Sequence, residues 1–354
     1  MSILQAGINA IALAFNGKEI QSLKELVMVK GFITPDINAL HNVVQGIVAK
    51  TQIGFSKPLY KVSKLNATCD GAFLENQAKI TDKFWNPVDI HVPFEMCFKD
   101  LDATFFQWAL KTGKDRGDLT ATDAVYFVLE LLRNAMQHDL QRIAWFADTS
   151  IALVSGGGKL KNTESVTDYN QFNGFWKQIF ASTTANPSNK VAISENALST
   201  YVLQNALATD KAYSTFLAMY EQADTNLTSS PDAVIYCTKG MYFNYQKTLA
   251  SKAVDASFNI LVDGILTPAF YGIPVKHNPI WTDSIKDFDN GTKLDLPHRA
   301  LLTIKENIQL GVDNLSSLGE FNVTHENRTN TVVMRSGYKA DAVLMEDQYT
   351  VAAY

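Results

Sequence analysis

Apolar and polar positions follow three rhythms along this chain, and each change of rhythm marks a change of element. The first fifty residues are helical in pattern: an apolar stretch from Ile3 to Phe15 ends near Gly17, residues 19–28 repeat it, and Thr34-Pro-Asp opens a third helix through Leu40 and Val44. Between residues 51 and 98 the pattern turns β-like. Runs at Phe55 to Val62 and Ile90 to Phe98 flank a polar middle around Asp70-Gly and Glu75-Asn-Gln, which predicts a long hairpin. Spacing of three and four then returns at Val125, Val128, Leu132, Ala135 and Met136, behind Thr120 as N-cap and Asp123. A helix over 119–147 is expected, roughly 40 Å long at 1.5 Å per residue.

Beyond it the rhythm shortens and mixes. Val154-Ser-Gly-Gly-Gly-Lys159 breaks the pattern as an expected mobile loop, and residues 172–180 read as an aromatic-rich helix. One or two helices are expected over 195–221, with Leu198, Val202, Leu203, Leu207, Phe216, Leu217 and Tyr220 on their apolar side. After the turn at Ser229-Ser-Pro-Asp232 come a dense strand, Ala233-Val-Ile-Tyr-Cys237, and a helix over 240–252. Tyr271-Gly-Ile-Pro-Val275 is a short strand whose Pro274 favours a sheet edge or a strand start. Two more runs, Ala300-Leu-Leu-Thr-Ile304 and Ile308-Gln-Leu-Gly-Val312, lead to a hairpin: Phe321-Asn-Val-Thr324, the tip 325–330, and the return from Thr331 that continues toward Tyr354. Helices and strands are mixed without regular βαβ alternation, so the class is α+β.

With 354 residues, 46% of them apolar and 19% charged, the chain is long and apolar enough to bury a large core. The formal charge of −5 and the lack of any dense basic run argue against a generic polyanion binder. Cys69, Cys97 and Cys237 are odd in number and widely spaced, with no CxxC; they read as buried thiols of a reducing compartment. No Lys or Arg precedes the apolar N-terminal stretch, so it makes a poor secretory signal. No window approaches the roughly 18 apolar residues of a membrane span, so a soluble chain is expected.

The usual chemical signatures are missing. Ser155-Gly-Gly-Gly-Lys159 superficially looks like a phosphate cradle, but Leu160 follows the lysine and the outer glycine of a P-loop is absent. The histidines at 41, 91, 138, 277, 298 and 325 form no metal-type pair, and neither GxSxG nor a local cysteine-nucleophile signature occurs. Carboxylate pairs such as Glu95 with Asp100, or Asp232 with Asp255, read as solvated charges. Asn-x-Ser/Thr triplets at 66, 226, 290, 314, 322 and 327 would be glycan acceptors only in a secreted chain. The tip His325-Glu-Asn-Arg-Thr-Asn330 has two readings, a solvated turn or a contact at which Arg328 grips a neighbour's carboxylate. The expectation is a non-enzyme without metal or cofactor, working through contacts.

The order of these features, with Trp145-Phe-Ala-Asp148, Ala233-Val-Ile-Tyr-Cys237 followed by a helix, and Leu266-Thr-Pro-Ala-Phe-Tyr-Gly-Ile-Pro-Val275, resembles the major capsid proteins of tailed bacteriophages, the Hong Kong 97-type shell fold. The resemblance implies an N-terminal arm at 1–50, an E-loop hairpin at 51–98 and a peripheral domain at 99–204 with its spine helix at 119–147. Residues 149–200 would be an insertion, since the simplest members have no counterpart to them. An axial domain at 205–312, peripheral strands and tip at 313–345, and a closing strand at 346–354 complete the division.

As function, the resemblance implies a coat protein that assembles into pentamers and hexamers of an icosahedral head around double-stranded DNA, held only non-specifically. It places the chain in the virion, assembled in the host bacterial cytoplasm and away from membranes. Portal and other head proteins follow as partners. A separate scaffolding protein follows too, because no long charged helical region precedes the arm. Candidate intersubunit contacts are Lys57, Lys61 and Lys64 in the hairpin and Glu326, Asn327 and Arg328 at the tip. The alternatives are an encapsulin-like protein shell, a cytosolic α+β enzyme with an unrecognised active site, and, more remotely, a secreted glycan-binding module.

Overall fold

The computed structural model describes residues 40–56, 80–97, 135–251, 259–262, 265–313, 322–326 and 331–354. Expectations for 1–39, for Cys69, for Asp100 and Asp255, and for the first part of the spine helix lie outside those residues.

In chain order the strands are β1 (Asn42–Val44), β2 (Thr51–Ser56), β3 (Ile80–Trp85), β4 (Val88–Cys97), β5 (Lys190–Val191), β6 (Ala233–Cys237), β7 (Asn259–Val262), β8 (Ile265–Phe270), β9 (Ile273–His277), β10 (Ala300–Ile304), β11 (Ile308–Val312), β12 (Asn322–Glu326), β13 (Thr331–Leu344) and β14 (Thr350–Ala353). The helices are α1 (135–146), α2 (Phe175–Ala185), α3 (Tyr201–Asn205), α4 (Lys211–Gln222), α5 (Thr225–Thr228), α6 (Lys239–Ser251) and α7 (Pro279–Ser284).

A seven-stranded mixed sheet runs β5-β14-β10-β6-β9-β8-β7. Its central strands are buried on both faces, and their alternation divides them between two cores. Val234, Tyr236, Leu301 and Ala352 point toward α1, α2 and α7, whereas Ala233, Ile235, Cys237, Ala300, Leu302, Val351 and Ala353 point toward α4 and α6. Both faces being covered explains why Ala233-Val-Ile-Tyr-Cys237 is a continuous apolar run. Pro274 sits at the second position of β9, before that strand's pairing with β6 begins at Ile235↔Val275. The strand-start reading therefore holds, while the edge reading fails because β9 lies between β6 and β8.

A second sheet is built on the long strand β13. β4 pairs along residues 331–340 of one side, while β12 and β11 share the other side, at 331–335 and 340–344. β1 extends it in parallel beyond β11, with Asn42↔Gln309 to Val44↔Gly311. The helix expected to reach Val44 is thus a strand there. The closing hairpin is present, with β12 paired to β13 from Asn322↔Arg335 to Glu326↔Thr331, but His325 and Glu326, read as part of the tip, belong to the strand, and the return run ends at Leu344 instead of continuing to Tyr354.

Two chain crossings join the sheets at one place. Between β10 and β11 a single turn at Lys305–Asn307 carries the chain from the large sheet to the second, and residues 345–349 carry it back from β13 to β14. Asn307 ties both: its side chain donates to the Glu346 carbonyl and Thr350 Oγ1, each at 2.9 Å, and accepts the Glu346 N–H at 2.7 Å. β10 and β11, which read as one lead-in to the hairpin, therefore belong to different sheets.

The first core spans both. Trp145 at the end of α1 meets Phe175 and Trp281 at centroid distances of 4.9 and 4.8 Å, and Trp176 and Trp281 are 4.8 Å apart. Leu310, Tyr338, Ala340, Ala342 and Leu344 of the second sheet join the same cluster. Edge-to-face aromatic packing of this kind contributes beyond area burial, by about 0.5–1.5 kcal/mol per pair.

The loop at 154–159, read as mobile, is closed by backbone hydrogen bonds. Val154 N–H donates to the Leu160 carbonyl at 2.8 Å, Gly158 N–H donates to Leu153 at 2.9 Å, and Leu160 is fully buried. A Cβ on Gly158 would stand 2.0 Å from the Ala152 carbonyl oxygen, so glycine is required there by close approach.

Candidate functional site

The chain passes from the second sheet into a two-stranded hairpin, and the base of that hairpin is the best-anchored projection among the described residues. β2 and β3 pair antiparallel from Thr51↔Trp85 to Ser56↔Ile80. This corrects the sequence reading of the partners: the return arm is 80–85, not 90–98, because the strand at 88–97 is taken by β13. The Asn86-Pro87 pair between them is a turn signal that could have located this boundary.

Three contacts fix the base. Trp85 is only 3% exposed, packs with Ile47, Val343 and Met345, and lies where a Cβ on Gly311 would come within 2.7 Å of its ring. Lys83 Nζ donates to the Leu344 carbonyl and stands 3.9 Å from the Asp347 carboxylate. Asn86 N–H donates to Asp341 Oδ2 at 2.7 Å. Burial pushes the Asp341 carboxyl up to about 6 despite the N–H groups of Asn86 and Ala342 that favour its charge. Phe84, on the opposite face of β3 from Trp85, is 40% exposed with the Lys50 ammonium 4.7 Å above its ring.

Lys57, Lys61 and Lys64 fall in the connection beyond this base, outside the described residues, as do Asn327 and Arg328. Of the tip residues, Glu326 is placed by its backbone, at the end of β12 opposite Thr331.

Apolar side chains are also exposed elsewhere among the described residues. Val202 and Leu203 on α3, Leu198 before it, Phe243 on α6 and Tyr271 in the β8–β9 turn face outward, Val202 by 78%. The apolar pattern read over 195–221 is therefore buried only in its second half, where Phe216 lies in the core. Gln204, the inward residue of α3, uses its amide to hold the Asn196 and Leu294 carbonyls at 3.1 and 2.9 Å, so this short helix is fixed by polar contacts and leaves its apolar side free.

Several titratable groups lie in the interior. His41 is buried against Phe175, and burial together with Lys305 brings it down to about 3. His298 is buried and hydrogen-bonded to the Gln204 carbonyl at 2.7 Å, and burial raises the Cys237 thiol. Among the described residues no group of three or more His, Cys, Asp or Glu could hold a metal ion, and no helix is long and apolar enough to cross a membrane. Arg299, which carries no sequence signal of burial beyond preceding β10, lies fully inside, and burial lowers it to about 10.

No protein-family model matches the sequence, and no curated protein matches it significantly. Among solved structures, the chain is similar to a chain of the satellite phage P4 procapsid that includes the size determination protein Sid. The TM-score is 0.50 at 12% identity, covering 94% of this chain and 98% of that one. It is also similar to the SrpI encapsulin of Synechococcus elongatus, with TM-score 0.47, 10% identity and coverage of 91% and 88%. The capsid of cyanophage P-SCSP1u gives TM-score 0.47, 11% identity and coverage of 89% and 86%. At such identities the likeness is one of fold, and the procapsid chain, matched over nearly its whole length, carries the assignment: an α+β chain with the Hong Kong 97-type shell fold.

Proposed function

We propose that this chain is a structural coat protein that assembles with copies of itself, as pentamers and hexamers, into the icosahedral head of a tailed bacteriophage. The observation that carries the reading is the near-complete two-way coverage of the P4 procapsid chain, 94% and 98%, by a chain of the same fold. The hairpin supports it. A two-stranded hairpin is marginal by itself, and among the described residues β2–β3 is joined to the body at its base while Phe84 faces outward. Its outer surface gains cover from a neighbour. Interfaces between successive copies that close into rings, and rings that bend slightly against one another, give a shell. Obligate interfaces of this kind bury roughly 2,000 Å² or more.

In this role the protein makes no covalent bond turnover and needs no cofactor. The net charge of −5 suits a wall that leaves packaged double-stranded DNA loosely held. A separate scaffolding protein, a portal and other head proteins complete the proposed partners, with assembly in the host cytoplasm.

The test is electron microscopy of the purified full chain, concentrated over a range of salt. Closed, uniform particles are expected. A compact monomer at every condition overturns the reading, and particles that enclose protein cargo in place of DNA when recovered from infected cells redirect it to an encapsulin-like container. Replacing residues 57–79 by a short turn keeps Trp85 and Lys83 at the hairpin base, so the variant is expected to fold as a monomer and to form no shells.

A further inference from the structure

A cavity of about 770 Å³ opens between the end of α1, helix α2, the glycine loop and residues 288–299. Its walls are aromatic and aliphatic: Phe146, Ile151, Trp176, Phe180 and Phe288 line it. Arg299 lies at its inner side, 2% exposed, with its guanidinium carbon 4.9 Å from the Trp176 ring centroid, 5.2 Å from Phe146 and 5.5 Å from Phe180.

The charges of this cavity do not balance. Lys177 is paired with Asp148 at 2.8 Å, and Lys159 with Asp295 at 3.0 Å. Arg299 donates Nε to the Leu296 carbonyl at 2.9 Å and Nη2 to the Asp295 carbonyl at 3.2 Å, while the Asp295 carboxylate, already engaged by Lys159, stands 4.0 Å from it. Three cations and two carboxylates line the space, which leaves one positive charge in excess, on the most buried group. The buried guanidinium, held by neutral carbonyls and ring faces, has its nearest carboxylate at 4.0 Å and shares it with Lys159, so its desolvation is only partly compensated. Trp176 adds a buried indole N–H with no acceptor among the described residues.

The volume lies within the range of sites that take a small organic ligand, about 300–1,000 Å³. We infer that this cavity is a binding site for small apolar monoanions, with an aromatic or branched aliphatic body against Phe146, Phe180 and Phe288 and an acidic group on Arg299. The inference is independent of the shell reading, since the lining residues all come from one copy. Its chemistry is that of a carboxylate on a compact hydrophobic body, in which the rings supply area and the guanidinium supplies selection for charge.

The test uses the purified full chain and the fluorescent anion 8-anilinonaphthalene-1-sulfonate, displaced in turn by 2-naphthoate and by neutral 2-naphthylmethanol. One saturable site is expected, with naphthoate displacing the probe at a concentration at least tenfold below that of the alcohol. Arg299→Met is expected to remove this tenfold preference while the alcohol still competes. Should that variant not fold, Ala181→Trp decides alone: Ala181 is an exposed position of α2 on the cavity lining, so its indole should fill the opening and abolish the saturable signal. Equal displacement by acid and alcohol, or an unchanged saturable signal in Ala181→Trp, overturns the inference.

Discussion

Burial near the end of β13 holds the Asp341 carboxyl at about 6, above its ordinary value of 3.8, although it accepts N–H groups from Asn86 and Ala342. The folded state therefore binds a proton that the unfolded chain has already lost. The resulting penalty is absent below pH ~4, grows between about pH 4 and 6, and is complete above 6. Asp341→Asn, which keeps an acceptor for Asn86, is expected to stabilise the protein by about 1–2 kcal/mol at pH 8 and by nothing at pH 3.5. Urea unfolding at the two pH values checks this. The glycine loop gives a second contrast at the same scale. At Gly156 an added Cβ meets nothing within 4 Å, whereas at Gly158 it meets the Ala152 backbone. Gly156→Ala is expected to stay within about 0.5 kcal/mol of the parent, and Gly158→Ala to lose about 3 kcal/mol or more. Thermal melts of the pair would show equal losses if the loop were mobile. Three consecutive glycines read as mobility because the sequence shows their freedom but not the close approach that requires one of them.

The hairpin base shows what an element owes to its anchor. Trp85 fills the space over Gly311 and joins β3 to the far face of the second sheet through Ile47, Val343 and Met345. Trp85→Ala is expected to cost about 3–5 kcal/mol locally. The loss should appear as faster amide exchange and proteolysis within 51–56 and 80–85, with β6 and β10 unchanged. Uniform loss of protection across both sheets would contradict a separate anchor. The β runs read at 55–62 and 90–98 overlap β2 and β4, and β3 at 80–85 was not read. The strands' partners were not legible, because alternation fixes which face a strand presents and says nothing about which strand it meets. Likewise, Leu198, Val202 and Leu203 carry helical spacing yet lie exposed, since Gln204 fixes α3 by hydrogen bonds and no core face is offered to them.

At the scale of the whole molecule one aromatic core serves both sheets, through Tyr236 and Leu301 on one side and Leu310 and Tyr338 on the other. Trp145 stands inside it, fully buried. Trp145→Ala is expected to destabilise by about 3–5 kcal/mol and to lower the unfolding midpoints of β6 and β13 together. Hydrogen exchange at increasing urea measures both, and a shift in one sheet alone would show that the two unfold as independent units. The same joined body gives the hairpin β2–β3 its base, through Trp85 and the residues packed on it.

The sequence by itself determined the local content: a helix running up to Trp145-Phe-Ala-Asp148, the buried strand Ala233–Cys237, the pairing of β12 with β13 and the α+β class. These follow from periodicity and turn chemistry, which act over a few residues. Only the tertiary structure decided that β10 and β11 part into different sheets, that Asn307 ties the two crossings, and that Arg299 enters an aromatic cavity. Each depends on groups tens to hundreds of residues apart, and a pattern read along the chain has no measure of distance across it.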